Sequence, residues 1–320
     1  MRRYPALWLG LALLVLAHPA VAFPDRPLTM VVPYAPGGPI DVLARVMAPA
    51  MAEALGQTVV IETRAGAGGN VGAAYVAQQA RADGHTILFT GAGLASAPSL
   101  LALSFDPLTD LVPLSGVGAI PSLVVVSPAS PYRDLQDLLA AARAHPGSIS
   151  YGSSGPGTGS HLAGVLLAAA TGVELLHAPY RGSGAVYPDL IARRIDTLLD
   201  IMASAYGQVD GGAVRAIAIT SAQRSAVLPD VPTVAEQGVP GYEFVTWTGL
   251  FVRAGLPDDA LRRLEAAALQ ALQAAPVRER LRLSAAQPIP ATQAGFAAYF
   301  RADVARWAEM VRTGRLQRLD

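Results

Sequence analysis

Residues 151–162 hold the side chains and the bare backbone that could do chemistry in this sequence. The stretch reads YGSSGPGTGSHL, with four glycines, four serine or threonine hydroxyls and one histidine directly before an apolar run. A phosphate-binding loop, a nucleophile loop and a carboxylate-binding loop all combine glycines with hydroxyl groups ahead of a helix. The residue types of this stretch therefore leave three chemistries open.

Hydrolase and nucleotide chemistry each lack a required residue. The nucleophile elbow G-x-S-x-G needs a glycine where Pro156 stands, and a dinucleotide fingerprint that starts at Gly155 needs one where Ser160 stands. The chain has no lysine, which excludes a Walker loop, and no cysteine, which excludes thiolate metal sites and thiol nucleophiles. We therefore expect no enzyme activity, no catalytic residue, no cofactor and no metal. A secreted serine hydrolase with a triad of Ser153, His161 and Asp200 is the less favoured alternative.

The first 22 residues have the features of a secretory signal peptide. Arg2 and Arg3 precede an apolar run, and Ala20-Val21-Ala22 forms a small-x-small cleavage site. The apolar run is shorter than the ~20 residues that a membrane-spanning helix needs. We predict export to the periplasm and a mature chain that begins at Phe23. That chain would hold 22 arginines against 24 acidic residues, which leaves no basic excess for nucleic acid or for an anionic membrane.

Strand and helix patterns alternate along the chain, and the alternation repeats once. Apolar strands near 28–32, 58–61 and 86–90 alternate with helices near 40–55 and 71–81. A second set runs from a strand near 123–126 to one near 215–219, and helices follow from residue 258 onward. Such alternation is typical of βαβ units and of a parallel sheet. The pattern predicts an α/β protein of two doubly wound units with a helical C-terminal region.

The glycine-rich loops follow predicted strands, where open α/β sheets bind their ligands. Gly37 and Gly38 precede the first long helix, and the 151–162 stretch precedes another in the second unit. Free N–H groups at a helix start carry partial positive charge and can bind a carboxylate without a cationic side chain. We expect these two loops to contact a ligand. The glycines at 66–69 are interpreted as turn glycines, and His161 is assigned with equal weight to a structural or a ligand-contact role.

Several segments, taken in order and spacing, resemble one known family. They are RPLTMVVPYAPGGPIDVLAR from Arg26, VVIETRAGAGGNVGAAYVA from Val59, ADGHTILF from Ala82, SFDPLTDLVPL from Ser104, HAPYRGSGA from His177 and LPDVPTVAEQGVPGYE from Leu228. Together with YGSSGPGTGSHLAG from Tyr151 and with Trp247, they resemble the periplasmic receptors of tripartite tricarboxylate transporters, also called the Bug family. The resemblance covers essentially the whole mature chain.

This resemblance implies a two-lobed periplasmic-binding-protein (flytrap) fold, in which each lobe is a doubly wound, mainly parallel sheet with flanking helices. Lobe 1 would comprise residues 23–123 plus 245–320 and lobe 2 residues 124–244, with the ligand cleft between them. Such a receptor captures a small organic carboxylate and delivers it to the membrane permease subunits of its transporter. We expect a monomer. A sensing module that signals to a membrane receptor is the alternative within this fold.

Twelve ligand-binding residues are implied by position in the family pattern. They are Tyr34, Ala35, Gly37, Gly38 and Asp41 in the first loop, Ser96 after the third strand, Ser153, Ser154, Gly157, Thr158 and His161 in the second-lobe loop, and Asp200. The chain departs from the pattern at Ile40, where a threonine or serine is usual, and at Arg193, where a glycine is usual. Ile40 and a carboxylate at Asp200 favour a monocarboxylate, an aromatic acid or an amino acid over citrate, and the identity of the acid stays open.

Overall fold

The computed structural model describes residues 23–314, Leu316 and Arg318. The predicted signal peptide, residues 1–22, lies outside the described residues. The strands are β1 (Leu28–Val32), β2 (Val59–Thr63), β3 (Thr86–Gly91), β4 (Leu111–Val126), β5 (Ile149–Ser153), β6 (Leu175–Pro179), β7 (Thr197–Ile201), β8 (Arg215–Ile219) and β9 (Val245–Arg253). The helices are α1 (Pro39–Leu55), α2 (Asn70–Ala74), α3 (Gly93–Leu100), α4 (Leu135–Ala144), α5 (Gly159–Thr171), α6 (Tyr187–Ile191), α7 (Met202–Asp210), α8 (Asp258–Gln273), α9 (Ala275–Leu283) and α10 (Gln293–Arg312).

The strand order has a near-symmetric arrangement. It runs β2-β1-β3-β9-β4-β7-β5-β6, and β8 pairs with β4. β1 lies parallel to β2 and β3, just as β5 lies parallel to β6 and β7. We call β1 to α3 the first unit and β5 to α7 the second unit. The order confirms the predicted repeat of two α/β units.

Two antiparallel strands, β4 and β9, join the units at the centre of the sheet. Residues 111–121 of β4 pair with β9, and residues 122–125 pair with β7. The chain therefore crosses between the units twice along one ladder, without a separate linker. The lobe boundaries proposed from the sequence, near 123 and 245, stay a prediction.

The middle of β4 carries residues that disfavour strands, which is why the sequence predicted only 123–126 of it. Gly116 and Gly118 lie in the ladder at a register shift. A Cβ on Gly116 would lie 2.9 Å from the Phe296 ring of α10, so the glycine lets this helix pack directly on the sheet. The same ring occupies the space beside Gly249 of β9. Non-local packing, not strand propensity, thus decides the residues at these positions.

Trp247 of β9 fixes the C-terminal helix to the crossing strands. It is 1% exposed, and its indole Nε1 donates a 2.7 Å hydrogen bond to Asp303 of α10. Its ring packs edge-on against Phe296 and Phe300. This placement agrees with packing at the crossover rather than with ligand stacking.

Most predicted elements are confirmed, with a few exceptions. The sequence analysis did not predict α3, α7, β9 or the first part of β4. The helix predicted near 71–81 is α-helical only over α2. A 3₁₀ turn at Ala67–Gly69 precedes α2, and a π-helical segment at Tyr75–Gln79 follows it. Arg193 has φ +59°, a left-handed conformation that explains why a glycine suits that position. In the described part of the chain, no helix is both long and apolar enough to cross a membrane.

Candidate functional site

A cavity of about 580 Å³ lies between the two units, at the carboxyl ends of their strands. Its volume falls within the roughly 300–1,000 Å³ that is usual for small-molecule sites. The first unit contributes residues 33–35, 38–40, 65–69 and 91–93 to the wall. The second unit contributes 154–156, 158–160, 180–183 and Ile201, and Thr246 of β9 completes the lining.

Three helices point their N-termini at this cavity. They are α1, α3 and α5, whose N-cap residues are Gly38, Ala92 and Thr158. None of the three has a side-chain cap, and the Thr158 hydroxyl donates instead to the Gly155 carbonyl at 2.6 Å. The first N–H groups of a helix have no partner within it and carry partial positive charge. The cavity wall is therefore rich in backbone donors that suit an anion.

Asp41 supports the first-unit loop from behind. Its carboxylate accepts the Gly37 N–H at 2.9 Å and the Arg45 Nε–H at 2.9 Å. Asp41 is 1% exposed, whereas the Arg45 side chain is 60% exposed. This carboxylate does not line the cavity, because its oxygens bind the loop and the helix side chain instead.

A buried network of neutral groups supports the second-unit loop. The Ser153 hydroxyl shares a 2.7 Å hydrogen bond with Nε2 of His177 and accepts the Gly155 N–H at 3.1 Å. His161 Nδ1 accepts the Gly157 N–H at 3.2 Å, and the two imidazole rings lie 4.3 Å apart. Burial, helped by the neighbouring His177, lowers the pKa of His161 to about 4. Burial also lowers the pKa of His177, so both rings are neutral near pH 7.

Asp200 lies at the end of β7 behind the cavity wall. It is fully buried, and its Oδ2 accepts hydrogen bonds of 2.6 Å from the Tyr187 and Ser204 hydroxyls. Burial raises the pKa of this carboxyl, and the hydrogen bonds from Ser204 and Tyr187 partly offset that rise. Ser153 bonds to His177 and not to His161, so the triad of Ser153, His161 and Asp200 considered from the sequence is not assembled.

The twelve predicted residues divide into two groups by position. The five that line the cavity are Tyr34, Ala35, Gly38, Ser154 and Thr158. The seven that lie outside its lining are Gly37, Asp41, Ser96, Ser153, Gly157, His161 and Asp200. Ser96 is fully buried in α3 and donates to the Gly93 carbonyl at 3.2 Å. Ligand contact by the first group, and support of the loops by the second, remain predictions.

Sequence reasoning missed part of the cavity wall. The glycines at 66–69, interpreted as turn glycines, line the cavity, and a Cβ on Gly68 would lie 2.5 Å from the Pro156 carbonyl oxygen. Arg181 and Gly182 were not selected, although they follow β6 as residues 65 and 66 follow β2. Comparing the strand ends of the two units would have identified both residues.

The described residues contain no group of three or more side chains that could hold a metal ion.

Comparison with known proteins identifies the family. The model of the tripartite tricarboxylate transporter family receptor matches residues 43–316. This chain belongs to that family. It is 41% identical over 297 residues, 92% of this chain and 88% of the other, to a protein of Pseudomonas sp. strain P51 described as a UPF0065 protein in the tcbD-tcbE intergenic region.

Two solved structures share the fold. The periplasmic binding protein BugD superposes with a TM-score of 0.87 at 33% identity, over 92% of this chain and all of the other. MatC from Rhodopseudomonas palustris, with bound malate, superposes with a TM-score of 0.84 at 33% identity, over 90% of this chain and all of the other. These similarities confirm the predicted two-lobed periplasmic-binding-protein fold. The family consists of solute-binding receptors, so the serine hydrolase alternative is set aside.

Proposed function

We propose that this family member is a periplasmic receptor that captures a small organic carboxylate in the cavity between its units. The observation that carries the proposal is the convergence of three uncapped helix N-termini on a cavity in which none of the described lining residues is acidic. Backbone N–H groups at helix starts bind carboxylates well, because the donors are fixed in place and the helix dipole favours negative charge.

Closure of the two units would complete the site. The units already meet at Gly68, whose added Cβ would lie 2.5 Å from the Pro156 carbonyl, and at Gly182, whose added Cβ would lie 2.9 Å from that of Ala35. The described residues form no hydrogen bond between the loops at these two contacts. A ligand that accepts hydrogen bonds from N–H groups of both units would bridge the two units and hold them together. Movement of this kind would bend β4 and β9, where the chain crosses between the units.

Membership of the family, rather than the cavity, supports delivery to a transporter as part of this proposal. The receptor would present its closed form to the membrane permease subunits of a tripartite transporter and would act as a monomer in the periplasm. The malate in the MatC structure supports a small carboxylate as the class of ligand.

The test is calorimetric titration of the mature protein with a panel of small organic acids and with the matched primary amides. An amide keeps the shape of the acid but removes the negative charge. We expect at least one acid to bind with micromolar or better affinity and its amide to bind at least 100-fold more weakly, because a carboxylate accepts charge-assisted hydrogen bonds. Equal binding of acid and amide, or no binding by protein shown to be folded and ligand-free, would contradict the proposal.

A further inference from the structure

Among the described residues that line the cavity, Arg181 has the one charged side chain. Its side chain is exposed, and it forms no hydrogen bond or ion pair with any described residue. The next acid after Arg181 along the chain, Asp189, is already occupied, because it accepts hydrogen bonds from the Tyr180 hydroxyl at 2.8 Å and from Arg194 at 2.9 Å. Arg181 is therefore an unpaired cation at the wall of an otherwise uncharged cavity.

The corresponding position of the first unit carries no charge. Arg64 and Tyr180 are equivalent, because each follows its strand and donates its N–H back to the end of the unit's first strand. Ala65 thus matches Arg181, and both line the cavity. Arg64 itself is paired with Glu62 and stacks on Tyr75, with its guanidinium 3.5 Å from the ring centroid. Of these two matched positions in the described chain, only the one in the second unit therefore carries an unpaired cation.

No carboxylate in the wall opposes a second negative charge on the ligand. The Asp41 oxygens bind Gly37 and Arg45, and Asp200 is fully buried behind the wall. Asp200, one of the two residues that favoured a monocarboxylate in the sequence, lies outside the cavity lining with its carboxyl fully buried. Much of the remaining wall is apolar, including Pro33, Ile40 and Ile201, which suits an uncharged middle part of a ligand.

Resting on the proposed carboxylate-binding function, we propose that Arg181 is a specificity-determining residue that binds a second anionic group of the ligand. One carboxylate is held by the backbone N–H groups of the helix starts. The other meets the planar guanidinium, whose parallel N–H donors match the two oxygens of a carboxylate. Gly182, beside it, meets Ala35 of the first unit, so Arg181 stands where the units close.

Matched pairs of acids test the assignment. Adipate and hexanoate share a chain length, and terephthalate and benzoate share a ring, but the first of each pair has two carboxylates. The wild type, Arg181→Gln and the control Arg143→Gln are titrated with all four at low and at high ionic strength. Arg143 is an exposed arginine of α4 that does not line the cavity.

We expect the wild type to bind the better diacid at least tenfold more tightly than its monoacid. Arg181→Gln should weaken that diacid about tenfold, reduce its salt dependence and leave the monoacid within about twofold. Arg143→Gln should match the wild type. Equal weakening of both acids, no weakening, or a wild-type preference for monoacids overturns the role of Arg181 while carboxylate binding stands. Binding of none of these acids and of no acid in the wider panel contradicts the proposed function itself, and the role of Arg181 with it.

Discussion

The first and second units present bare backbone to the same cavity, but they support it by different chemistry. Behind the first loop stands Asp41, which forms an ion pair with the exposed Arg45. Behind the second loop stand Ser153, His161 and His177, which are neutral near pH 7. One arrangement depends on charge near solvent and the other on buried hydrogen bonds.

This difference shows that two loops of similar backbone geometry can respond differently to salt and to pH. A partly exposed ion pair is screened by salt and contributes little to stability. A buried neutral network is insensitive to salt, but it fails when an acceptor is lost or protonated, because a buried group without a partner is costly. The second loop should therefore respond more strongly to pH and to truncation than the first.

The largest expected effect is a loss of stability in acid that depends on His161. Its pKa is about 4 in the folded protein, below its ordinary value near 6.5. Above pH 6.5 the ring is neutral in both states. Between pH 6.5 and 4 only the unfolded chain binds the proton, so the free energy of unfolding falls with pH, by roughly 2–3 kcal/mol in total. Denaturant unfolding at pH 7 and pH 4.5 measures this loss.

His161→Gln should remove that part of the acid loss, whereas the control His145→Gln, at an exposed histidine, should keep it. The comparison between variants matters because other groups titrate in the same range. If both variants lose the same stability between the two pH values, the second loop is not the acid-sensitive support.

Truncation of one supporting side chain in each unit should have the next largest effect. Ser153→Ala leaves the buried Gly155 N–H and His177 without their partner and should cost about 2–3 kcal/mol of unfolding free energy. Asp41→Ala should cost only about 1 kcal/mol, because Gly37 is exposed and its N–H can bond to water. Urea unfolding of both variants at pH 7 gives the two values. A larger cost for Asp41→Ala would reverse the comparison.

A substitution where the units meet should affect binding more than stability. Gly68→Ala places a methyl group against the Pro156 carbonyl and should weaken ligand binding at least tenfold by opposing closure. Gly147→Ala is the matched control, because Gly147 has a similar positive φ, +73° against +64°, but no atom within 4 Å of an added Cβ. Both variants should lose about 1 kcal/mol of stability through backbone strain. Equal affinities for the two would show that Gly68 does not limit closure.

The sequence predicted those helices and strands whose ends are set by neighbouring residues in the chain. Helix α1 begins after Gly38 and ends before Gly56, close to the predicted range 40–55, and residues 28–32 form β1 as predicted. The prediction failed at positions where contacts with distant parts of the chain determine which residue fits. Gly116 allows Phe296 to contact the sheet, and Gly68 allows Pro156 of the other unit to approach, and neither partner is visible in a local pattern.

The site residues expected from the sequence lie on loops around the cavity, but only some of them reach its wall. A residue at the end of a strand, such as Asp200, is located along the sheet by sequence pattern. Whether its side chain reaches the cavity depends on what lies in front of it, and here the carboxyl is enclosed by Tyr187 and Ser204. Arg181 was not predicted, because the ligand contacts implied by the family pattern are mainly glycines and hydroxyl side chains.

The late position of β9 in the chain has a consequence for the order of folding. β3 pairs on one side with β1 and on the other with β9, whose last residue is Arg253. Until that residue is available, the first unit has an open strand edge, and such edges favour aggregation. The pairing is also long-range, which slows folding. The polypeptide thus completes its central sheet only after most of its length has been synthesised, and a truncation ahead of β9 would yield an aggregation-prone fragment rather than an independent lobe.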